Sequence, residues 1–245
     1  MDQTHAVNFI HQSRPSDSPF VEDIWQVSCF EEGDFVMCAD VSWDIIVSTY
    51  SEQRQIYVDG PTSEARSLHY KPGMQLLGIR FKVGTTLSGL NLHETVDKTF
   101  PLAQINGSKF WLAGSAIEVP TQNTVDAFIE KLTRDRLIMD DHSIQAMLQE
   151  ELMPVSRATQ RRFLSSTGLS QMKIYQIQRA WGAMTLLQKG QPATQVAQEL
   201  GYSDQAHMIK FLKRLLGQTP KNIEQVVHSQ APLSFSYNLL SPILV

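Results

Sequence analysis

The chain has 245 residues, 42% of them hydrophobic and 19% charged, with a formal net charge of −4. That length suits one or two domains with an ordinary core, and no stretch approaches the ~20 apolar residues that a membrane span needs. Cys29 and Cys38 form neither a disulfide framework nor a CxxC motif, and Met1-Asp-Gln-Thr-His lacks the basic start and apolar run of a secretory signal, so the expected setting is cytoplasmic with reduced thiols.

Residues 1–120 read as mostly β. Trp43-Asp-Ile-Ile-Val-Ser-Thr-Tyr50, Gln55-Ile-Tyr-Val58 and Leu76-Leu-Gly-Ile-Arg-Phe81 are rich in β-branched and aromatic residues. Asp59-Gly60-Pro61, Lys71-Pro72-Gly73 and Val83-Gly84 bound them as turns, which argues for a sandwich or a barrel. Beyond Gly84 the pattern loosens, and Leu87–Phe100 is consistent with a short helix. Arg66 and Arg80 sit in strand-like segments near Trp43, Tyr57, His69 and Tyr70, and these six residues are the candidate effector pocket. Arginine on a strand usually faces solvent. One turned inward must be paired, and an anionic ligand is one partner it can find.

Pro120-Thr121-Gln122-Asn123 separates the β region from a helical one. Thr124 fits an N-cap, with Val125, Phe128, Ile129 and Leu132 at helical spacing behind it. Helices are expected at roughly 124–138, 143–152, 156–166, 171–188, 193–200, 203–216 and 220–228. Residues 229–245 form an uncharged apolar tail, broken by proline, that is expected to pack on a domain or a partner.

Within the helical region one unit occurs twice, with Arg161 and Lys210, Phe163 and Leu212, and Gly168 and Gly217 each 49 positions apart. Each copy is a polar-to-basic helix ending at glycine and preceded by another short helix, the layout of a helix-turn-helix. In the second copy Val196, Ala197 and Leu200 lie on one helix face, Gly201 makes the turn and Tyr202 plugs the corner. Ser203 is the expected N-cap, Asp204 suits the helix dipole, and Met208, Leu212 and Leu215 form the buried stripe. Gln205, Ala206, His207 and Lys210 then face the groove, where glutamine can pair with adenine, a methyl can touch thymine, and lysine can reach guanine or phosphate. In the first copy Ile144, Met147, Leu148 and Leu152 support a reading helix that offers Arg157, Gln160 and Arg161, with Phe163 and Leu164 turned to the core. Thr159 and Arg162 flank these as phosphate contacts or packing, and Lys213 is expected on phosphate.

Met172–Leu187 reads as one long helix between the copies, its sixteen residues spanning about 24 Å. Successive major-groove faces lie ~34 Å apart. One chain is therefore expected to touch two adjacent major-groove segments, with DNA bending as one way of doing so. Charge agrees: residues 141–228 carry ten basic and six acidic groups, a balance of +4, while the first 140 carry a balance of −8.

The region from about 124 to 228 resembles the AraC/XylS family of bacterial transcription regulators. The resemblance rests on Ser156-Arg-Ala-Thr-Gln-Arg-Arg-Phe163, Gly168-Leu-Ser170, Arg179-Ala180 and Leu186-Leu187. Above all it rests on Val196-Ala-Gln-Glu-Leu-Gly-Tyr-Ser-Asp-Gln-Ala-His-Met208, followed by Lys213-Arg214, Gly217 and Thr219-Pro220. It implies two helix-turn-helix units joined by a long helix, with bases touched by Arg157, Gln160 and Arg161, then by Gln205, Ala206 and Lys210. It implies promoter DNA and RNA polymerase as partners, with a small effector or a homodimer as further ones. Departures are Val155 where a cap is usual, Leu212 where phenylalanine is common, and Arg162 in place of an apolar residue.

Residues Trp43-Asp-Ile-Ile-Val47, Val58-Asp-Gly-Pro61, Arg66, His69-Tyr70, Pro72-Gly73 and Gly78-Ile-Arg-Phe81 resemble the β-rich sensor domain of one branch of that family, which implies a cupin-like β-barrel. A metal-dependent cupin enzyme would need clustered histidines with a carboxylate. Here only His69 and His93 stand in the body of the domain, 24 residues apart, so neither metal, cofactor nor catalytic residues are expected. The resulting expectation is an α+β chain: a β-barrel-like domain at 1–120, a double helix-turn-helix domain at 124–228 and a tail at 229–245. The rival readings are a metabolite-binding or metabolite-modifying cupin with a helical appendage, and an interaction protein that uses its tail.

Overall fold

The computed structural model describes residues 8–149 and 156–220. Its centre is a six-stranded antiparallel sheet. In spatial order this runs β1 (Phe9–Pro15), β2 (Val21–Cys29), β7 (Gln75–Phe81), β4 (Trp43–Tyr50), β5 (Gln53–Asp59) and β9 (Thr99–Pro101). The β4–β5 hairpin turns on Ser51 and Glu52, both at positive φ (48° and 64°), the twist that a two-residue hairpin loop favours.

Strand alternation sorts β4 onto two faces. Trp43, Ile45 and Val47 join Ile24, Ile56, Val58, Ile79 and Phe81 in the main core, where Trp43 stacks on Phe81 with centroids 4.1 Å apart. Full burial of each such side chain is worth roughly 1.5–3 kcal/mol. A small sheet of β10 (Gln104–Asn106), β11 (Lys109–Leu112) and β12 (Ser115–Glu118) helps close this face through Phe110, Leu112 and Ile117. Over the other face lies a two-stranded ribbon of β3 (Gly33–Met37) and β6 (Arg66–Tyr70). There Trp25, Val27, Ile46 and Tyr70 form a second cluster, with Phe9 and Phe35 packed against it. The β-rich expectation is met, but among the described residues the large sheet stops at β1 and β9 and no closed barrel forms.

The helix α2 (Val125–Arg134) packs Val125, Phe128, Ile129 and Leu132 into the main sheet core, not against the later helices. It ends four residues earlier than expected, since Asp135 caps it and Arg136 takes φ 54°. Ile138–Asp140 then forms β13, paired with β8 (Thr85–Leu87). By packing, the β unit therefore extends to Asp140, past the division expected at 120–124. Of the helix expected across Leu87–Phe100 only α1 (Leu92–Thr95) forms, and Thr99 onward is strand.

The remaining helices are α3 (His142–Gln149), α4 (Arg157–Thr167), α5 (Gln171–Gln188), α6 (Ala193–Glu199) and α7 (Gln205–Leu216). Along the 18-residue α5, Ile174, Ile177, Ala180, Trp181, Met184 and Leu187 are buried as their spacing predicts. They share a core with Ile144, Phe163, Val196, Met208, Leu212 and Leu215. The helix expected at 220–228, apart from its first residue, lies outside the described residues, as do the tail 229–245, Leu152 and Pro154.

Candidate nucleic-acid interface

Two short helices present their leading turns to solvent. Ser156 caps α4 by accepting from Thr159 N (3.1 Å), so the helix starts where Val155 could not have capped it. Arg157, Gln160 and Arg161 are exposed, and Phe163 is buried beneath them. The Arg162 guanidinium, itself exposed, donates to both carboxylate oxygens of Asp141 (2.8 and 2.9 Å).

In α7 the cap is Asp204, accepting from His207 N (2.6 Å), one residue later than the Ser203 expected from sequence. Ser203 precedes it, with its hydroxyl 3.0 Å from His207 Nδ1. The carboxylate binds the helix N-terminus better than a hydroxyl because it meets the positive end of the dipole with full charge. Ser203, Gln205, Ala206, Lys210 and Lys213 are exposed. His207 is half-buried, edge-on to Phe211 at 4.8 Å. Gly201 takes φ 68° in the inter-helix turn, and Tyr202 fills the corner under the Arg179 guanidinium, 4.1 Å from its ring centroid.

The trailing ends of both helices rest on the β unit, a feature with no signal in the sequence. At α4, His93 Nδ1 donates to Gly168 O (3.0 Å). At α7, Ala39 N donates to Leu215 O (2.6 Å), Ala65 N to Arg214 O (2.9 Å) and Cys38 Sγ to Leu216 O (3.4 Å). Trp181 Nε1, from the connecting helix, donates to Ala39 O (3.0 Å). Glu64 faces Lys173 and Arg214 across the same junction at 3.9 and 3.6 Å. Helices α4 and α7 thus share a base, and their free ends carry the exposed basic and amide side chains.

A helix-turn-helix domain model matches residues 153–225, the stretch that contains α4, α7 and the long α5 between them. The chain carries an AraC-type helix-turn-helix domain. At this level it is a DNA-binding transcription regulator. No curated protein matches it. Among solved structures it is similar to ToxT from Vibrio cholerae, with 11% identity and a TM-score of 0.35 over 90% of this chain and 98% of that one. An apo ToxT variant gives 11% identity and a TM-score of 0.31 over the same shares. The domain assignment stands on the helix-turn-helix match.

Beside the AraC-type domain, the residues expected to line an effector pocket divide into two groups. Tyr57, His69 and Arg80 line a cavity of about 200 Å³ between the large sheet and the β3–β6 ribbon. Trp43 and Tyr70 do not: Trp43 points to the opposite face of the sheet, with Nε1 on Thr85 O (2.8 Å), and Tyr70 is spent on packing Phe9 and Phe35. Arg66 stands outside the lining and pairs with Asp59 (2.9 Å). Arg80 points inward and is buried, against the usual habit of a strand arginine, and the protein supplies its partners in Asp40 (2.7 Å) and Asp44 (3.4 Å). Burial opposes its charge, but Asp40, Asp44 and Asp23 outweigh that and hold the guanidinium firmly protonated.

Asp40, Ser42, Asp44 and Asp59 also line the cavity, and none was singled out from sequence. The available signal was a carboxylate inside an apolar strand run, at Trp43-Asp44-Ile45 and Val58-Asp59. Burial pushes Asp44 up to about 6, opposed by Arg80 and by the hydrogen bond from Trp25 Nε1 (2.8 Å). Burial likewise raises Tyr57, with Asp59 and Asp44 adding to the effect.

Proposed function

We propose that this protein is a sequence-specific regulator that reads two adjacent major-groove segments with α4 and α7. The observation that carries this reading is the shared base: both reading helices are anchored at their trailing ends while their leading turns stay exposed. In this reading Arg157, Gln160 and Arg161 contact base edges from α4. Gln205, Ala206 and Lys210 do so from α7, while Ser203, His207 and Lys213 contact phosphate. Arginine and glutamine supply bidentate pairs to guanine and adenine, and phosphate neutralisation supplies most of the affinity. Eighteen residues of α5 span about 27 Å, a strut of the scale that separates consecutive grooves on one side of B-DNA.

The protein acts in the cytoplasm on promoter DNA and meets RNA polymerase there. Its β unit, at 1–120 or somewhat beyond, regulates the domain at 124–228 through a small effector or through self-association, and the tail at 229–245 supports such contacts. Footprinting of the full chain on the DNA flanking its own gene tests the reading. Two protected patches about one helical turn apart are expected. A single patch, unchanged when Arg161 is replaced by alanine, contradicts the two-helix reading.

A further inference from the structure

We propose that the cavity between the large sheet and the β3–β6 ribbon binds a small organic cation, an ammonium or guanidinium on a short apolar body, and that the segment Met37–Asp40 passes its occupancy to α7. The second half rests on the DNA-binding reading above; the first does not.

Three carboxylates, from Asp40, Asp44 and Asp59, face this space, against the one lining arginine, Arg80. Arg66 balances Asp59 from outside. Asp23, 7% exposed, adds a further carboxyl close to Arg80; burial raises its pKa, and its Oδ1 has no hydrogen-bond partner among the described residues. The surroundings are thus left with surplus negative charge. An anionic ligand meets that surplus, and the guanidinium that could have held it already lies on Asp40 and Asp44.

Ser42 is an independent indication. It is 6% exposed, and its hydroxyl has no hydrogen-bond partner among the described residues. Ser42 lines the cavity with Asp40, Asp44 and Ile46, while Val41, Trp43 and Ile45 are packed in the cores. A ligand N–H is a donor that this cavity-lining hydroxyl can accept from. Trp25, Phe35 and Tyr57 supply aromatic walls, whose π faces attract cations. A metal ion fits less well, because among the described residues no group of three His, Cys, Asp or Glu side chains is placed to hold one. The volume, about 200 Å³, is below the usual range for drug-sized ligands and suits a small metabolite.

The link to α7 is short. Met37, Cys38 and Asp40 line the cavity. The same segment holds Leu215 O through Ala39 N, Leu216 O through Cys38 Sγ, and the strut through Ala39 O and Trp181. A cation beside Asp40 competes with Arg80 for its carboxylate. Displacing Asp40 displaces Ala39, and with it the base of the second reading helix.

The test is isothermal titration of the full chain with n-butylammonium and phenethylammonium, with n-butanol and butyrate as neutral and anionic controls, followed by gel shifts with and without the bound ammonium. Saturable binding of the ammonium probes alone is expected. Asp44→Asn should weaken it roughly tenfold, about 1.4 kcal/mol, and Ser42→Leu should abolish it by filling the space. Ala39→Pro removes the N–H that holds Leu215, and should keep ammonium binding while losing its effect on DNA affinity. Preferential binding of butyrate, or no saturable heat from either ammonium at millimolar concentration with a folded wild-type chain, overturns the cavity assignment. Ammonium binding that leaves DNA affinity unchanged overturns the transmission. Intact ammonium binding with no DNA binding in any form sinks the regulator reading instead.

Discussion

Two glycines in the AraC-type domain provide a matched pair for measuring how firmly α7 rests on the β unit. Gly201 and Gly217 share a left-handed backbone, at φ 68° and 66°. A side chain at such a position costs ~1–2 kcal/mol on backbone grounds alone. The two differ in what a Cβ would meet. At Gly201 it has no heavy atom within 4 Å, whereas at Gly217 it falls 2.6 Å from Val36 Cγ1 and 3.4 Å from the Ala65 side chain. Val36 is in β3 and cannot retreat as a flexible tip would, so overpacking adds ~1–3 kcal/mol. Gly201→Ala should therefore cost ~1–2 kcal/mol and Gly217→Ala ~2–5 kcal/mol. Urea unfolding of the two variants measures the difference, which isolates the contact between reading helix and β unit because the backbone term cancels. Equal losses would refute the reasoning: α7 would not rest on Val36 in solution.

Other outcomes follow from the same geometry. Arg161→Ala or Gln205→Ala should weaken DNA binding by ~1–3 kcal/mol and relax selectivity at one base position, while Lys213→Ala should weaken all sequences alike and reduce the salt slope by about 1; equal losses on cognate and scrambled DNA for all three would contradict these roles. Arg80→Met leaves Asp40 and Asp44 buried without their cation and should cost ~3–5 kcal/mol in urea unfolding, with Asp44→Asn partly restoring it; a loss under about 1 kcal/mol would show that those carboxylates are not held against a buried charge. Stability should also depend on pH. Burial pushes Glu22 up from 4.5 to about 7, with Arg80 opposing and Asp40, Asp23 and Asp44 reinforcing the shift, and burial raises Asp44 to about 6. Both folded values lie above the unfolded ones, so the native state holds more protons through this window and stability falls as pH rises across it. The melting temperature should be higher near pH 5 than near pH 8, and Glu22→Gln should flatten that slope; a melting temperature that rises over the range disproves the sign.

Much of the helical architecture was readable from local pattern. The spacing of Ile174, Ile177, Trp181, Met184 and Leu187 predicts the buried face of α5, since a helix repeats every 3.6 residues whatever lies beyond it. The 49-residue repeat placed Gly168 and Gly217 at the ends of two equivalent helices, where both adopt the left-handed caps. Misreadings arose where partners are distant. The pattern Val125, Phe128, Ile129, Leu132 announced a helix without saying which core it enters, and it enters the sheet's. Trp43 and Asp44 are adjacent yet on opposite faces, so proximity along the chain put the wrong one at the cavity.

By itself the sequence determined helices α4 and α7, their polar edges and the long α5 between them, because periodicity, caps and turn glycines act over a few residues. Only the tertiary structure decided that Arg80 turns inward to Asp40 and Asp44, that Arg162 is tied to Asp141, and that Ala39 and Ala65 hold the end of α7. Each of these contacts joins residues from about 21 to 176 positions apart. Which of two equally plausible charges or amides pairs across such a gap is set by how the layers stack, and no local preference encodes that.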